Sequence, residues 1–162
     1  MRTAGRAEAL HGAGRAHARV VFLNVGTGIS YALVRDGVPE VGARGYAIIV
    51  GAPAVEDLAG GAGLAALAGE ASARDVLALP RHAPLVARAT AALGASIAML
   101  VNALDPDAVV IGGGLGLVDA YRSAAVEAAR PLIWAEDVRD LPIVPASLAE
   151  GPIVGAALAA PH

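Results

Sequence analysis

Apolar residues along this chain fall into two periodicities, and their order predicts the architecture. Residues 18–25 (ARVVFLNV) form a nearly continuous apolar, β-rich run, the pattern of a strand covered on both faces and therefore central in its sheet. Gly26-Thr27-Gly28 breaks that run, and residues 29–35 (ISYALVR) resume strand character. Asp36-Gly37 is a hairpin turn signal, after which residues 38–41 can pair back. Gly42 to Gly45 reads as a loop, and residues 47–50 as a short strand.

Helical spacing dominates from there on. Residues 55–59 and 63–68 read as short helices separated by glycines, and Ser72 is placed to cap a helix over 73–79. Pro80 and Pro84 bracket an expected loop. The longest helix is predicted over 85–104, where Val86, Ala89, Leu93, Ile97, Leu100 and Leu104 form one apolar stripe. Asp105-Pro106-Asp107 stops it, and residues 108–111 are a wholly apolar strand. Gly112-Gly113-Gly114 follows, then a helix over 117–129, an edge strand over 142–145 with proline at both limits, and a closing helix over 153–160. Residues 5–15 favour a first helix that ends at Gly12-Ala13-Gly14. Strand hairpins followed by helices alternating with single strands define an α/β domain, a mixed sheet flanked by helices.

Composition narrows the function classes. The 162 residues suffice for one domain, and at 56% hydrophobic and 17% charged the chain is not a disordered tail. Aromatic residues are scarce at 3%, so Ala and Gly fill a core in which helices lie close to the sheet. A net charge of −3 supplies no electrostatic reason to bind nucleic acid or an anionic membrane. With no cysteine, disulfides and thiolate-bound zinc are excluded, which fits a cytoplasmic setting. No secretory signal is visible, and the apolar stretch between Arg88 and Asp105 is shorter than the roughly 20 residues of a spanning helix. A buried core helix is the expectation. His11, His17, His82 and His162 are scattered and read as surface residues.

Two glycine clusters carry the candidate chemistry. Gly26-Thr27-Gly28 lies between two strands, so it is a hairpin tip rather than a loop opening a helix. Its backbone amides and the Thr27 hydroxyl can approach phosphate oxygens; the same spacing equally suits an ordinary tight hairpin. Gly112-Gly113-Gly114 lies between a strand and a helix, which would set backbone amides at a helix N-terminus, where a nucleotide can dock. It lacks the third glycine of a dinucleotide fingerprint, since Leu117 stands there, and a plain strand–helix turn is the alternative.

Taken together, these segments resemble the ROK family of sugar kinases and repressors, within the actin-like ATPase superfamily. VVFLNVGTGISYALVRDGVPEVGARG resembles the family's second phosphate hairpin, VEDLAGGAGLAALAG its next helical segment, LVNALDPDAVVIGGG its adenosine-side helix, strand and glycine turn, and GPIVGAALAA its closing helix. The resemblance implies the C-terminal lobe of an actin-like (ribonuclease H-like) fold over residues 1–162, and ATP- and magnesium-dependent phosphorylation of a hexose or amino sugar. It implies that Gly26, Thr27 and Gly28 hold the β- and γ-phosphates, that Gly112, Gly113 and Gly114 flank the adenosine, and that Glu56 bonds sugar hydroxyls.

The chain also departs from the family pattern. The family's general base is an aspartate just before the helix that begins near Arg2, where Met1 now stands. Asp36, Asp105, Asp107, Asp75, Asp119, Asp137 and Asp140 offer no substitute, so no catalytic residue is identified. The first phosphate loop belongs to an N-terminal lobe that this chain does not carry. The histidine and cysteines of the family's zinc loop are replaced by Tyr46 to Gly51, so no zinc is expected. The expectation is a sugar kinase-like lobe, inactive by itself. The alternatives are a non-catalytic sugar-sensing or regulatory module and, on the GGG turn alone, a nicotinamide-binding oxidoreductase. A lobe whose cleft face is shaped to be covered exposes apolar surface, which predicts homo-oligomerisation. The expected ligands are a small sugar and a nucleotide, with neither nucleic acid nor membrane as partner.

Overall fold

The chain is described from a computed structural model covering residues 1–45 and 53–148. The strand expected at 47–50 and the helix expected at 153–160 lie outside the described residues. Five strands form one mixed sheet: β1 (Arg19–Val25), β2 (Ile29–Arg35), β3 (Val38–Pro39), β4 (Ala108–Gly112) and β5 (Ile143–Pro145), in the spatial order β3-β2-β1-β4-β5. β1 is central, as its nearly continuous apolar run predicts, and the proline-bounded β5 is an edge. β1 pairs antiparallel with β2 through the Gly26–Gly28 turn and parallel with β4, so that Asn24 lies opposite Gly112. β3 is shorter than expected because Pro39 has no amide to donate, although Glu40 N–H still reaches Leu33 O at 2.8 Å.

Alternate residues of β1 serve two cores. Val20 and Phe22 meet Ala4, Ala9, Val34 and Val110 beneath α1 (Arg2–His11). Val21, Leu23 and Val25 face the larger core, which includes Leu93, Ile97, Ile111 and Tyr121. That core is closed by α2 (Pro53–Ala59), α3 (Gly61–Ala68), α4 (Ala73–Ala78), α5 (Ala83–Leu104) and α6 (Asp119–Ala129). Ser72 caps α4 as anticipated, its hydroxyl accepting from Asp75 N–H at 3.3 Å.

Three local expectations need correction. Residues 80–84 are not a loop: Pro80–His82 is a single 3-10 turn, and Pro84 sits in the first turn of α5, where a missing amide is harmless. The resulting helix of 22 residues is long and apolar enough to cross a membrane, yet one face, including Ala89, Leu93, Ile97 and Val101, is buried in the core. α6 begins at Asp119 rather than 117, because Gly113 (φ +86°) turns the chain away and residues 113–118 form a separate turn.

The join between α5 and β4 is bolted to β1. Asp105 ends α5 in the left-handed region (φ 46°). Asp107 then accepts the Arg19 amide at 2.7 Å and returns its own amide to Arg19 O at 2.8 Å, while Arg19 Nε reaches Leu104 O at 2.7 Å. These bonds fix the parallel register of β4 on β1, and hence the level at which their ends emerge.

Glu8, a residue that the sequence pattern does not single out, performs the matching task on the other face. It is 1% exposed. Its carboxyl accepts the amides of Ala13 (2.8 Å), Ser147 (3.0 Å) and Leu148 (2.7 Å), tying α1 to the segment that leaves β5. Glu8→Gln presents an NH2 group to one of these donors, leaving a buried amide unpaired. The expected loss is about 1–3 kcal/mol in urea unfolding, with the m-value unchanged; an unchanged midpoint would mean that the contacts are dispensable.

Candidate functional site

The hairpin tip between β1 and β2 is held by its carbonyls. Gly26 O accepts Gly61 N–H at 2.7 Å, Thr27 O accepts Ala62 N–H at 3.0 Å, and Gly28 O accepts Gly26 N–H at 3.0 Å. The first two donors are the opening amides of α3, so that helix N-terminus is occupied by the protein's own backbone. Gly61 allows this approach: a Cβ there would lie 2.8 Å from Gly26 O. With the carbonyls turned inward, the Thr27 and Gly28 amides and the exposed Thr27 hydroxyl have no hydrogen-bond partner among the described residues. Such a cluster of donors on a glycine turn suits an anion.

Glu56 lies in the first turn of α2 with its carboxylate folded onto this hairpin. Oε2 accepts Ile29 N–H at 2.8 Å, and a Cβ on Gly28 would stand 2.6 Å from the same oxygen. Glu56 is thus not an idle solvated helix start, and it is brought directly beside Gly26–Gly28.

The second glycine cluster arrives at the same place. β4 ends at Gly112, and the turn that follows donates Leu115 N–H (3.0 Å) and Gly116 N–H (2.8 Å) to Val25 O, the residue just before the hairpin tip. Gly112, Gly113 and Gly114 therefore end a strand and open a turn, and do not form the N-terminus of α6, which starts beyond them. The placement inferred from spacing is corrected in this respect. Arg122 of α6 stabilises the turn, reaching Gly116 O at 3.4 Å while pairing with Asp119. Asn24, a polar residue in an apolar strand, sits between the clusters: its carboxamide oxygen is 2.8 Å from the place a Cβ on Gly113 would take. The interrupted hydrophobic pattern was the available signal for it.

Beside this turn lies an apolar cleft of about 480 Å³, lined by Val76, Leu79, Pro80, Val86, Val118 and Tyr121 among others. Burial pushes the Tyr121 phenol up, so it keeps its proton and donates to Ala59 O at 2.9 Å, joining α6 to α2. The Pro80 wall is pinned from outside. Glu70 Oε1 is bonded to His82 Nε2 at 2.8 Å and to Arg81 Nη2 at 2.5 Å. His82, expected on the surface, has a side chain only 13% exposed because of this pairing.

Asp57 directly follows Glu56 in α2 and is exposed; the other seven aspartates remain apart from the site. Asp36 occupies the β2–β3 turn (φ 50°), Asp105 and Asp107 serve the α5–β4 join, and Asp75, Asp119, Asp137 and Asp140 are exposed. Met1 stands at the N-cap of α1 and makes no side-chain capping bond.

A mixed sheet with helices on both faces, and paired glycine turns at the strand ends, is the actin-like ATPase fold. The ROK family model matches residues 52–162, and the chain belongs to that family. It is similar to the ROK hexokinase from Thermus thermophilus, with a TM-score of 0.84 and 29% identity over 97% of this chain and 62% of the hexokinase. A ROK family glucokinase from Streptomyces griseus, solved with glucose and AMPPNP, shares the fold at a TM-score of 0.75 and 20% identity, covering 98% of this chain and 65% of that one. The bifunctional enzyme NanE/NanK of Brucella melitensis is 35% identical over 127 residues, 67% of this chain and 24% of that enzyme. The chain thus spans about a quarter of the bifunctional enzyme and less than two thirds of the hexokinase. Its fold is shared by ROK kinases and by a ROK family transcriptional regulator alike.

The Glu70 pair predicts a pH response. The hydrogen bonds from His82, then Arg81, hold the Glu70 carboxyl below its ordinary value. A depressed carboxyl contributes stability above its unfolded pKa, and that contribution is lost as pH falls through the folded value. Wild type should therefore melt above Glu70→Gln at pH 6, with the gap closing below about pH 4; a gap independent of pH would contradict the pairing.

Proposed function

We propose that this chain is the nucleotide-clasping lobe of a ROK-type sugar kinase that uses ATP with magnesium to phosphorylate a hexose or amino sugar. The observation that carries the reading is the Val25 carbonyl. By accepting two amides of the turn after β4, it holds both glycine clusters together at the ends of β1 and β4. On this reading the Thr27 and Gly28 amides and the Thr27 hydroxyl receive β- and γ-phosphate oxygens, with Gly26 shaping the turn. Gly112, Gly113 and Gly114 let the ribose approach the backbone, and the cleft lined by Val118 and Tyr121 takes the adenine. Glu56 keeps one oxygen, Oε1, for a sugar hydroxyl. Magnesium, when bound, neutralises charge on the β- and γ-phosphates.

In the reaction the sugar hydroxyl oxygen bonds to the γ-phosphorus, the bond to the β-bridging oxygen breaks, and ADP leaves. The hydroxyl proton passes to a base, which Asp36, Asp75, Asp105, Asp107, Asp119, Asp137 and Asp140 are too far from the site to supply. Positioning and preorganised donors carry most of such a transfer, and both weaken when half of a cleft is open to water. We infer that residues 1–162 alone bind nucleotide but do not turn it over against a sugar. Self-association is part of the same proposal, but its support is not the cleft face expected from the sequence: it is the cluster of Trp134, 87% exposed, with Met99 and Leu132 beside the C-terminal half of α5.

Calorimetric titration with ATP, adenosine and NAD in parallel tests the proposal. ATP and adenosine should bind, and Thr27→Ala should weaken ATP by about fivefold, the worth of one hydrogen bond, while leaving adenosine unaffected. Binding of NAD without ATP would instead favour an oxidoreductase.

A further inference from the structure

The sugar-contact role of Glu56 leaves one of its contacts unexplained. A carboxylate beside a phosphate site repels the ligand, yet Glu56 Oε2 lies 2.8 Å from Ile29 N and directly against Gly28. The backbone around the tip explains why the contact is worth keeping. Val25 and Ile29 are opposed in the β1–β2 register, and the Ile29 amide points out of the hairpin rather than across it. Unbonded, that amide would leave the β2 side of the tip without an anchor. The β1 side is already held through Val25 O by Leu115 and Gly116, and the tip itself through Gly26 O and Thr27 O by α3.

We propose that Glu56 is a positioning residue for the nucleotide: by accepting Ile29 N–H it clamps the Gly26–Gly28 tip so that the Thr27 and Gly28 amides stay aimed at the phosphates. This rests on the nucleotide reading given above and adds to it a role that acts through the backbone. The carboxylate removes one amide from the donors available to an anion and fixes the pose of the remaining two. Gly28 is required by the same contact, because any Cβ there would displace the oxygen. Glu56 is itself exposed, so its substitution leaves the cores intact.

Three variants separate reach from charge. Glu56→Gln keeps an acceptor at the same distance without charge; Glu56→Asp keeps the charge but is one methylene short; Glu56→Ala removes both. In the 162-residue chain, hydrogen exchange of the Ile29 amide reports the clamp directly, and ATP titration reports its effect on the site. Ile29 should be protected in wild type and Glu56→Gln, and unprotected in Glu56→Asp and Glu56→Ala. ATP affinity should stay within about twofold of wild type for Glu56→Gln and fall about tenfold for the other two, the loss expected of one hydrogen bond. Affinity that follows charge, with Glu56→Asp like wild type, overturns the proposal, as does unchanged Ile29 protection in Glu56→Ala. If wild type binds no ATP while Ile29 protection follows the predicted order, the clamp stands and the nucleotide reading fails.

Discussion

The parallel pairing of β1 with β4 is the constraint on which this structure depends. The two strands are far apart in sequence, and their register is set at one end by reciprocal bonds between Arg19 and Asp107. At the other end the same register brings Val25 O level with the amides of Leu115 and Gly116. Two glycine turns from different parts of the chain therefore become one surface. Slipping the pair by a residue would point Val21, Leu23 and Val25 at the wrong core and separate the turns.

Around that junction the protein uses up its acceptors and leaves donors free. The carbonyls of residues 25–28 are all bonded within the chain, and the Ile29 amide goes to Glu56, so the Thr27 and Gly28 amides are what the tip presents. This is preorganisation in backbone form: no side chain has to reorient when an anion arrives, and the hydrogen bonds that hold the tip already exist. The cleft next to the second turn is apolar and stiffened by Tyr121 on one side and by the Glu70–His82–Arg81 group on the other. A polar, donor-rich turn joined to an apolar cleft matches a ligand with a charged end and a flat, weakly polar end.

Much of this fold was legible in the sequence because the signals are local. The mostly apolar run of β1, the Asp36-Gly37 turn, the stripe along α5 and the Ser72 cap each depend on residues a few positions apart. What the sequence did not show is long-range or conformational. The separation of Gly112–Gly114 from α6 follows from a positive φ at Gly113, which residue identity permits but does not require. The inclusion of Pro84 in α5 depends on where the helix starts. Glu8, Tyr121 and the bond from Ile29 to Glu56 each join segments whose meeting only the folded chain defines. For Glu56 the family resemblance implied a ligand contact, whereas the geometry adds a backbone one.

The central claim is that both glycine turns serve one nucleotide. An amide chemical-shift map of the 162-residue chain, titrated with a non-hydrolysable ATP analogue and magnesium, tests it most directly. The account predicts that Thr27 and Gly28 shift together with Gly113 and Gly114 at a single dissociation constant. Shifts confined to one turn, or centred on the exposed face around Trp134, would contradict it.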